Sequence, residues 1–298
     1  MTGPAQIRTT VHRGIFASIF VTALYACTLC GALPALAQGD AFAPLERRLI
    51  EDGFPPERVA TLYAPNSEPL LKSVTSMFRI QESKLNYGRF LEPGPISQAQ
   101  KFMAQYGSIL ARAEKTYGVH RSVISAILLV ETGFGQNTGK SPVLDVFSTF
   151  ALMSEKSYRD VIWNMLPYEQ RQEWGCYLFD RRLIKRADWA YGELRALLQY
   201  TETRPETIKS LRGSYMGAVG WPQFLPSSIV QYGVDGNGDG RVDLFDSTDA
   251  IMSAANYLQA HGWYEGATRA EQEAVIHEYN HSQPYVDTVL GVADILRQ

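Results

Sequence analysis

Val123, Ile124, Ile127, Leu128 and Glu131 fall at i, i+1, i+4, i+5 and i+8, which puts all five on one face of a 3.6-residue helix. Four are apolar, so the face belongs in a core and the stripe ends on an acid. Gly133 and Gly135 follow directly, and a glycine just past the last periodic residue predicts the end of the helix. The chain therefore has to bury most of a helix while leaving one carboxylate at the mouth of a Gly-rich turn. A carboxyl group among apolar neighbours is disfavoured as an anion and its pKa rises, which is what a general acid near neutral pH requires. Taken alone, this stretch is better explained by a glutamate reaching from a helix end into water, as charged residues usually do. The remaining motifs have to decide.

Helical periodicity recurs along the chain. Asp40 to Pro69 is rich in Pro and turn formers, with a short helix predicted around Glu57 to Tyr63, so residues 38–95 read as an arm or small helical lobe. Ser97 to Gln100 has the S-x-x-Q form of a capping box and predicts the opening of a helix through Phe102, Tyr106, Ile109, Leu110, Ala113 and Tyr117. Further helices are predicted over Pro142 to Met153, Asp188 to Gln199, Ser247 to Ala260, from the Thr268–Glu271 capping box to Tyr279, and from Pro284 onward. Gly213 to Ser228 carries three more glycines and two prolines, which predicts a loop of close backbone approach with a short helix opening at Pro226. No alternating pattern long enough for a half-buried strand occurs. The expected fold is mostly α, with residues 96–298 as one catalytic body and at most a short hairpin near residues 235–249.

That segment, D-G-N-G-D-G-R-V-D, matches the start of an EF-hand loop. Asp235, Asn237 and Asp239 supply oxygen at positions 1, 3 and 5, Gly240 makes the turn at position 6, and Arg241 offers its carbonyl. Position 12 is Asp246 rather than Glu, and Asp249 is a second candidate to close the site. A structural Ca²⁺ is expected here.

The N-terminus reads as a cleaved signal. Arg8 and Arg13 precede an apolar run from Gly14 to Leu33, and Ala35 and Ala37 form an A-x-A site before polar Gln38. Cleavage after Ala37 would leave 261 residues with Cys176 as the sole cysteine, hence no intrachain disulfide. Those residues hold 26 basic and 31 acidic side chains, a net charge of −5 that argues against nucleic acid as a partner. Periplasmic localisation follows. A retained membrane anchor, or a lipoprotein modified at Cys27, is the alternative.

V-E-T-G-F-G, G-S-Y-M-G-A-V-G-W-P-Q-F-L-P-S-S, the calcium loop and Y-N-H-S occur in that order. In this the chain resembles the membrane-bound lytic murein transglycosylase B family, bacterial enzymes with a lysozyme-like α+β core that cleave peptidoglycan glycan strands. The resemblance implies Glu131 as the catalytic acid/base, Ser214 and Gln223 lining the site beside it, and Tyr257, Tyr279, Asn280 and Tyr285 contacting the sugar or holding the glutamate. It also favours Asp249 over Asp246 as the closing calcium ligand. It implies a monomer acting on glycan strands, with other cell-wall enzymes as further candidate partners. One departure is clear: only about fifteen residues separate Trp263 from Tyr279, where better-known members carry a long insertion.

Glycosidases usually use two carboxylates, yet no second acid in this chain has a comparable apolar or Gly-rich context. Asp145 is the nearest candidate and reads as a helix-surface residue. A lone carboxyl implies that the substrate supplies the other half of the reaction, with Glu131 acting as acid and then as base and a 1,6-anhydro sugar as product. A hydrolytic muramidase and a catalytically silent peptidoglycan-binding protein are the competing expectations.

Overall fold

The computed structural model describes residues 41–77 and 86–298. The leader expected at residues 1–37 lies outside the described residues. Among those described, no helix is long and apolar enough to cross a membrane.

The described chain is mostly helical. Its helices are α1 (Ala43–Glu51), α2 (Pro56–Val59), α3 (Leu71–Met77), α4 (Pro93–Gln105), α5 (Gly107–Tyr117), α6 (Arg121–Thr132), α7 (Val143–Ala151) and α8 (Lys156–Met165). There follow α9 (Tyr168–Trp174), α10 (Cys176–Tyr200), α11 (Thr207–Ser210), α12 (Pro226–Tyr232), α13 (Ser247–Ala260), α14 (Arg269–Tyr279) and α15 (Gln283–Arg297). The predicted capping box at Thr268 forms, with the Thr268 hydroxyl and the Glu271 carboxylate each taking the other's backbone N–H. Ser97 does not cap a helix. Glu92 is the N-cap and α4 begins at Pro93, because proline fits the first turn, where its missing N–H has no partner to lose. The same periodic run also breaks at Tyr106 into α4 and α5.

The expected strand content is small, as found, but it sits elsewhere. Ser141–Pro142 pairs antiparallel with Arg212–Gly213, so the sheet ties the turn after α6 to the Gly-rich loop and not to the segment at 235–249.

Two apolar cores form within the single unit Gln38–Gln298. The first gathers α1 to α3, α7, α8, α10 and α12 around Phe42, Leu49, Phe147, Phe179 and Leu194, with Leu244 joining from a loop. The second gathers α4, α5, α6, α13, α14 and α15 around Leu110, Ile124, Ile127, Leu128, Leu258 and Val289. α6 is buried along nearly its whole length, as its apolar stripe requires. Tyr257 and Tyr279 pack against both cores, so they mark the seam between them.

Candidate active site

α6 ends as its sequence predicts. Gly133 adopts a left-handed conformation at φ 59°, and its N–H bonds to the Leu129 carbonyl. Phe134 at φ 61° and Gly135 at φ 80° prolong the reversal. The turn is then held against the Gly213–Phe224 loop. Thr132 Oγ1 donates to the Trp221 carbonyl at 2.9 Å and accepts from the Gly135 N–H at 2.9 Å. Gly135 is required here, since a Cβ would stand 2.1 Å from Trp221 Nε1. Gly139 is equally constrained, because a Cβ there would lie 2.0 Å from the Gly213 carbonyl oxygen.

Glu131 sits in the last turn of α6, partly exposed, with its carboxyl enclosed by protein. Burial pushes its pKa up to about 7, opposed only by a hydrogen bond from Tyr285 that favours the anion. Tyr285 Oη donates to Glu131 Oε1 at 2.6 Å. No neighbouring carboxylate contributes to the shift. Asp145, the nearest alternative acid, is half-buried in the first turn of α7, where burial raises its pKa and Arg212 lowers it; Glu131 does not figure in its surroundings.

The tyrosines form a graded cluster. Tyr285 is fully buried and Tyr279 stacks on it with ring centroids 6.5 Å apart. Tyr279 Oη donates to the Pro222 carbonyl at 2.6 Å, and Tyr257 meets Tyr279 edge-on at 4.8 Å. Burial first, and the Glu131 charge second, hold both Tyr279 and Tyr285 well above the ordinary tyrosine pKa, so both remain neutral donors. Tyr257 lies one ring further out, donating to the Glu278 carbonyl at 3.0 Å.

The other predicted residues shape the loops. Gln223, at φ 51°, donates from Nε2 to the Gly220 carbonyl at 2.9 Å and to the Thr138 carbonyl at 3.3 Å, bridging the turn after α6 and the Gly-rich loop. Ser214 Oγ accepts from the Met216 and Ala218 N–H groups at 3.2 and 3.1 Å, which closes the Gly-rich turn on itself. Asn280 terminates α14 in extended backbone at φ −148°, directly after Tyr279. Sequence reasoning missed Thr132 and also Tyr87, which meets Tyr285 edge-on at 6.0 Å. The hydroxyl of Thr132 beside the glutamate was a readable signal; Tyr87 had none, because its contact is with a residue far along the chain.

In the 235–249 segment, Asp235 accepts the N–H groups of Gly238, Asp239 and Gly240, and Asn237 Oδ1 accepts that of Asp239. Asp249, fully buried, takes Gly236 and Asn237 on one oxygen and Asp243 on the other. Among the described residues no group of three or more His, Cys, Asp or Glu is gathered as a metal site. The donor set is nonetheless all oxygen, with Asp235, Asn237, Asp239 and the Arg241 carbonyl on one tight loop, and its chemistry fits a hard cation.

Comparison with known proteins agrees with this architecture. The chain is similar to membrane-bound lytic murein transglycosylase B of Escherichia coli (strain K12), with 34% identity over 178 residues, covering 60% of this chain and 41% of that protein. It thus spans less than half the length of this relative. Among solved structures, soluble lytic transglycosylase SltB1 from Pseudomonas aeruginosa superposes with a TM-score of 0.68 at 27% identity, covering 86% of this chain and 98% of that one. The Escherichia coli lytic transglycosylase Slt35 in complex with calcium shares the fold, with a TM-score of 0.66 at 23% identity over 88% of this chain and 94% of that one. Residues 37–273 match the transglycosylase SLT domain family. A helix with a glutamate in its last turn whose carboxyl is enclosed, a glycine-shaped loop locked over that end and a match across most of the chain lead to one conclusion: the chain belongs to the transglycosylase SLT domain family.

Proposed function

We propose that the chain is an exported peptidoglycan lytic transglycosylase that cleaves the β-1,4 bond between N-acetylmuramic acid and N-acetylglucosamine, with Glu131 as its single acid/base. The observation that carries this is the isolation of the Glu131 carboxyl: burial raises its pKa to about 7 and Tyr285 is its sole polar partner among the described residues. A glycosidase working with two carboxylates would place a second one within roughly 10 Å, and a nearby anion would add its own upward push.

With its pKa raised to about 7, Glu131 can hold its proton near neutral pH, where an ordinary glutamate has lost it. The protonated carboxyl donates it to the glycosidic oxygen as the C1–O bond breaks, and the N-acetylglucosamine end leaves as an alcohol. The acetamido carbonyl of the muramoyl residue stabilises C1. The Glu131 carboxylate then takes the proton of the C6 hydroxyl, O6 bonds to C1, and a 1,6-anhydro ring forms with no water consumed. Tyr285 orients the carboxyl and steadies its anion between the two steps. Tyr279 holds the Pro222 corner of the loop, and in this reading the Asn280 amide bonds the acetamido group. Ca²⁺ would be held by Asp235, Asn237, Asp239, the Arg241 carbonyl and Asp249, and its contribution would be to stiffen that loop.

The test is the mass of the products. Purified peptidoglycan incubated with the protein should yield muropeptides ending in 1,6-anhydro-N-acetylmuramic acid, lighter by one water than the hydrolysed sugar. Glu131→Gln should lower turnover by at least ~10²-fold, the smallest usual loss for a general acid/base. Products with reducing N-acetylmuramic acid would make the enzyme a muramidase, and full activity in Glu131→Gln would remove the site from this helix.

A further inference from the structure

Large apolar side chains on the surface are not evenly spread. Met165, Tyr168, Tyr177, Leu178 and Ile184 are all exposed and fall within twenty consecutive residues; Tyr177 is 70%, Tyr168 64% and Leu178 55% exposed. α9, between them, buries no residue at all. Along α10 as far as Ala190 the buried stripe is Phe179, Leu183, Ala187 and Ala190. The opposite face therefore carries Tyr177, Leu178, Arg181, Arg182, Ile184 and Lys185.

This face alternates bulky apolar groups with cations, where an ordinary solvated face mixes both signs of charge. Cys176 to Arg186 holds four basic residues against Asp180 alone, in a chain whose net charge is −3. Asp180 is already bridged to Arg159. Among the described residues Arg181, Arg182 and Lys185 form no ion pair; Arg181 lies over the Tyr177 ring and Arg182 over Trp174. The cations are thus extended along apolar surface without an ion-pair partner, and the exposed acids Glu169 and Glu173 lie on α9 rather than on this face of α10.

We propose that this corner, α8 to α10, docks on the surface of an anionic phospholipid bilayer. The aliphatic members decide among occupants. Stacking on sugar rings uses aromatic faces and gains nothing from Met165, Leu178 or Ile184, whereas these side chains gain by leaving water for the acyl boundary. The tyrosines suit the interface, with an apolar ring below and a hydroxyl at headgroup level. The three unpaired cations complement anionic headgroups, whose potential acts within about a Debye length of the surface. Nothing in this inference depends on the chemistry assigned to Glu131.

The test is co-sedimentation with vesicles of phosphatidylcholine alone and of phosphatidylcholine mixed with phosphatidylglycerol. Because residues 14–33 are apolar, it is run on the full chain and on Gln38–Gln298, which holds both cores. Wild type should partition roughly tenfold or more onto the mixed vesicles, and added salt should release it. The Arg181→Glu, Arg182→Glu pair should abolish the preference for anionic lipid. The Tyr177→Ser, Leu178→Ser pair should weaken binding at every salt concentration. These residues are exposed, so melting temperature and activity on soluble glycan fragments should stay at wild-type levels in both pairs. Equal binding to the two vesicle types, no binding to either, or self-association in solution that the same variants abolish would each overturn the proposal.

Discussion

Burial holds Glu131 near pH 7, whereas an unfolded chain would titrate it near its ordinary 4.5. Between those values the folded state keeps a proton that the unfolded state has released, so stability falls as pH rises through this window. Below about pH 4.5 both states are protonated and the term vanishes; above 7 the full penalty stands. A shift of this size corresponds to at most about 3 kcal/mol. Glu131→Gln should therefore unfold at higher denaturant than wild type at pH 8 and match it at pH 4, while losing activity; equal midpoints at pH 8 would mean that the carboxyl is not desolvated. Tyr285→Phe removes the one hydrogen bond that favours the anion and leaves the ring's packing intact. Hydrogen bonds to charged groups contribute about 1.5–3 kcal/mol, so the basic limb of the pH–rate profile should move up by one unit or more. An unmoved limb would show that Tyr285 does not act on this proton.

At the scale of elements, the helix bearing the glutamate was legible because three signals agreed: one apolar face, an acid ending it and a glycine after it. The start of α4 was not, since Ser97 offers a local cap while Pro93 and Pro95 allow the helix to begin a turn earlier. The Tyr285 contact with Glu131 joins residues 154 positions apart, and no periodicity within either helix encodes it; only the order of motifs pointed there. The Gly-rich segments carried a definite message, that backbone would approach backbone, without naming the partner. The structure supplies it: Gly139 meets the Gly213 backbone and Gly220 the backbone and Cβ of Leu244, while Gly135 and Gly217 leave room for the Trp221 and Phe147 rings. Gly139→Ala would need both a strained φ of 91° and a shift of the Gly213 carbonyl. Its expected cost is on the order of 2–4 kcal/mol, with activity lost in step because the loop carrying Gln223 is displaced. Wild-type melting and turnover in this variant would mean that the two loops are not coupled.

On the scale of the whole molecule, the 220–249 region is where the two cores are joined. Leu244 belongs to the first core, and Trp221 and Val234 pack against the second. The Trp221 N–H donates to the Leu244 carbonyl at 2.9 Å, the Val234 N–H reaches Ser253 Oγ at 2.9 Å, and Arg112 of α5 donates to the Gly236 carbonyl. A cation held by Asp235, Asn237 and Asp239 would therefore stiffen the link between the cores, and with it the Trp221 and Pro222 carbonyls that Thr132 and Tyr279 grip. Binding to the folded state alone raises stability by about 2.7 kcal/mol at a hundredfold excess over Kd. Adding Ca²⁺ to chelator-treated protein should accordingly raise the melting temperature with concentration. Turnover measured well below that temperature should rise with the same midpoint, because the cation tightens the seam that presents Glu131. Asp239→Ala should abolish both responses while leaving the apo protein folded. A melting curve indifferent to chelator would remove calcium from the loop, whereas stabilisation without any change in turnover would confine the metal to holding the two cores together.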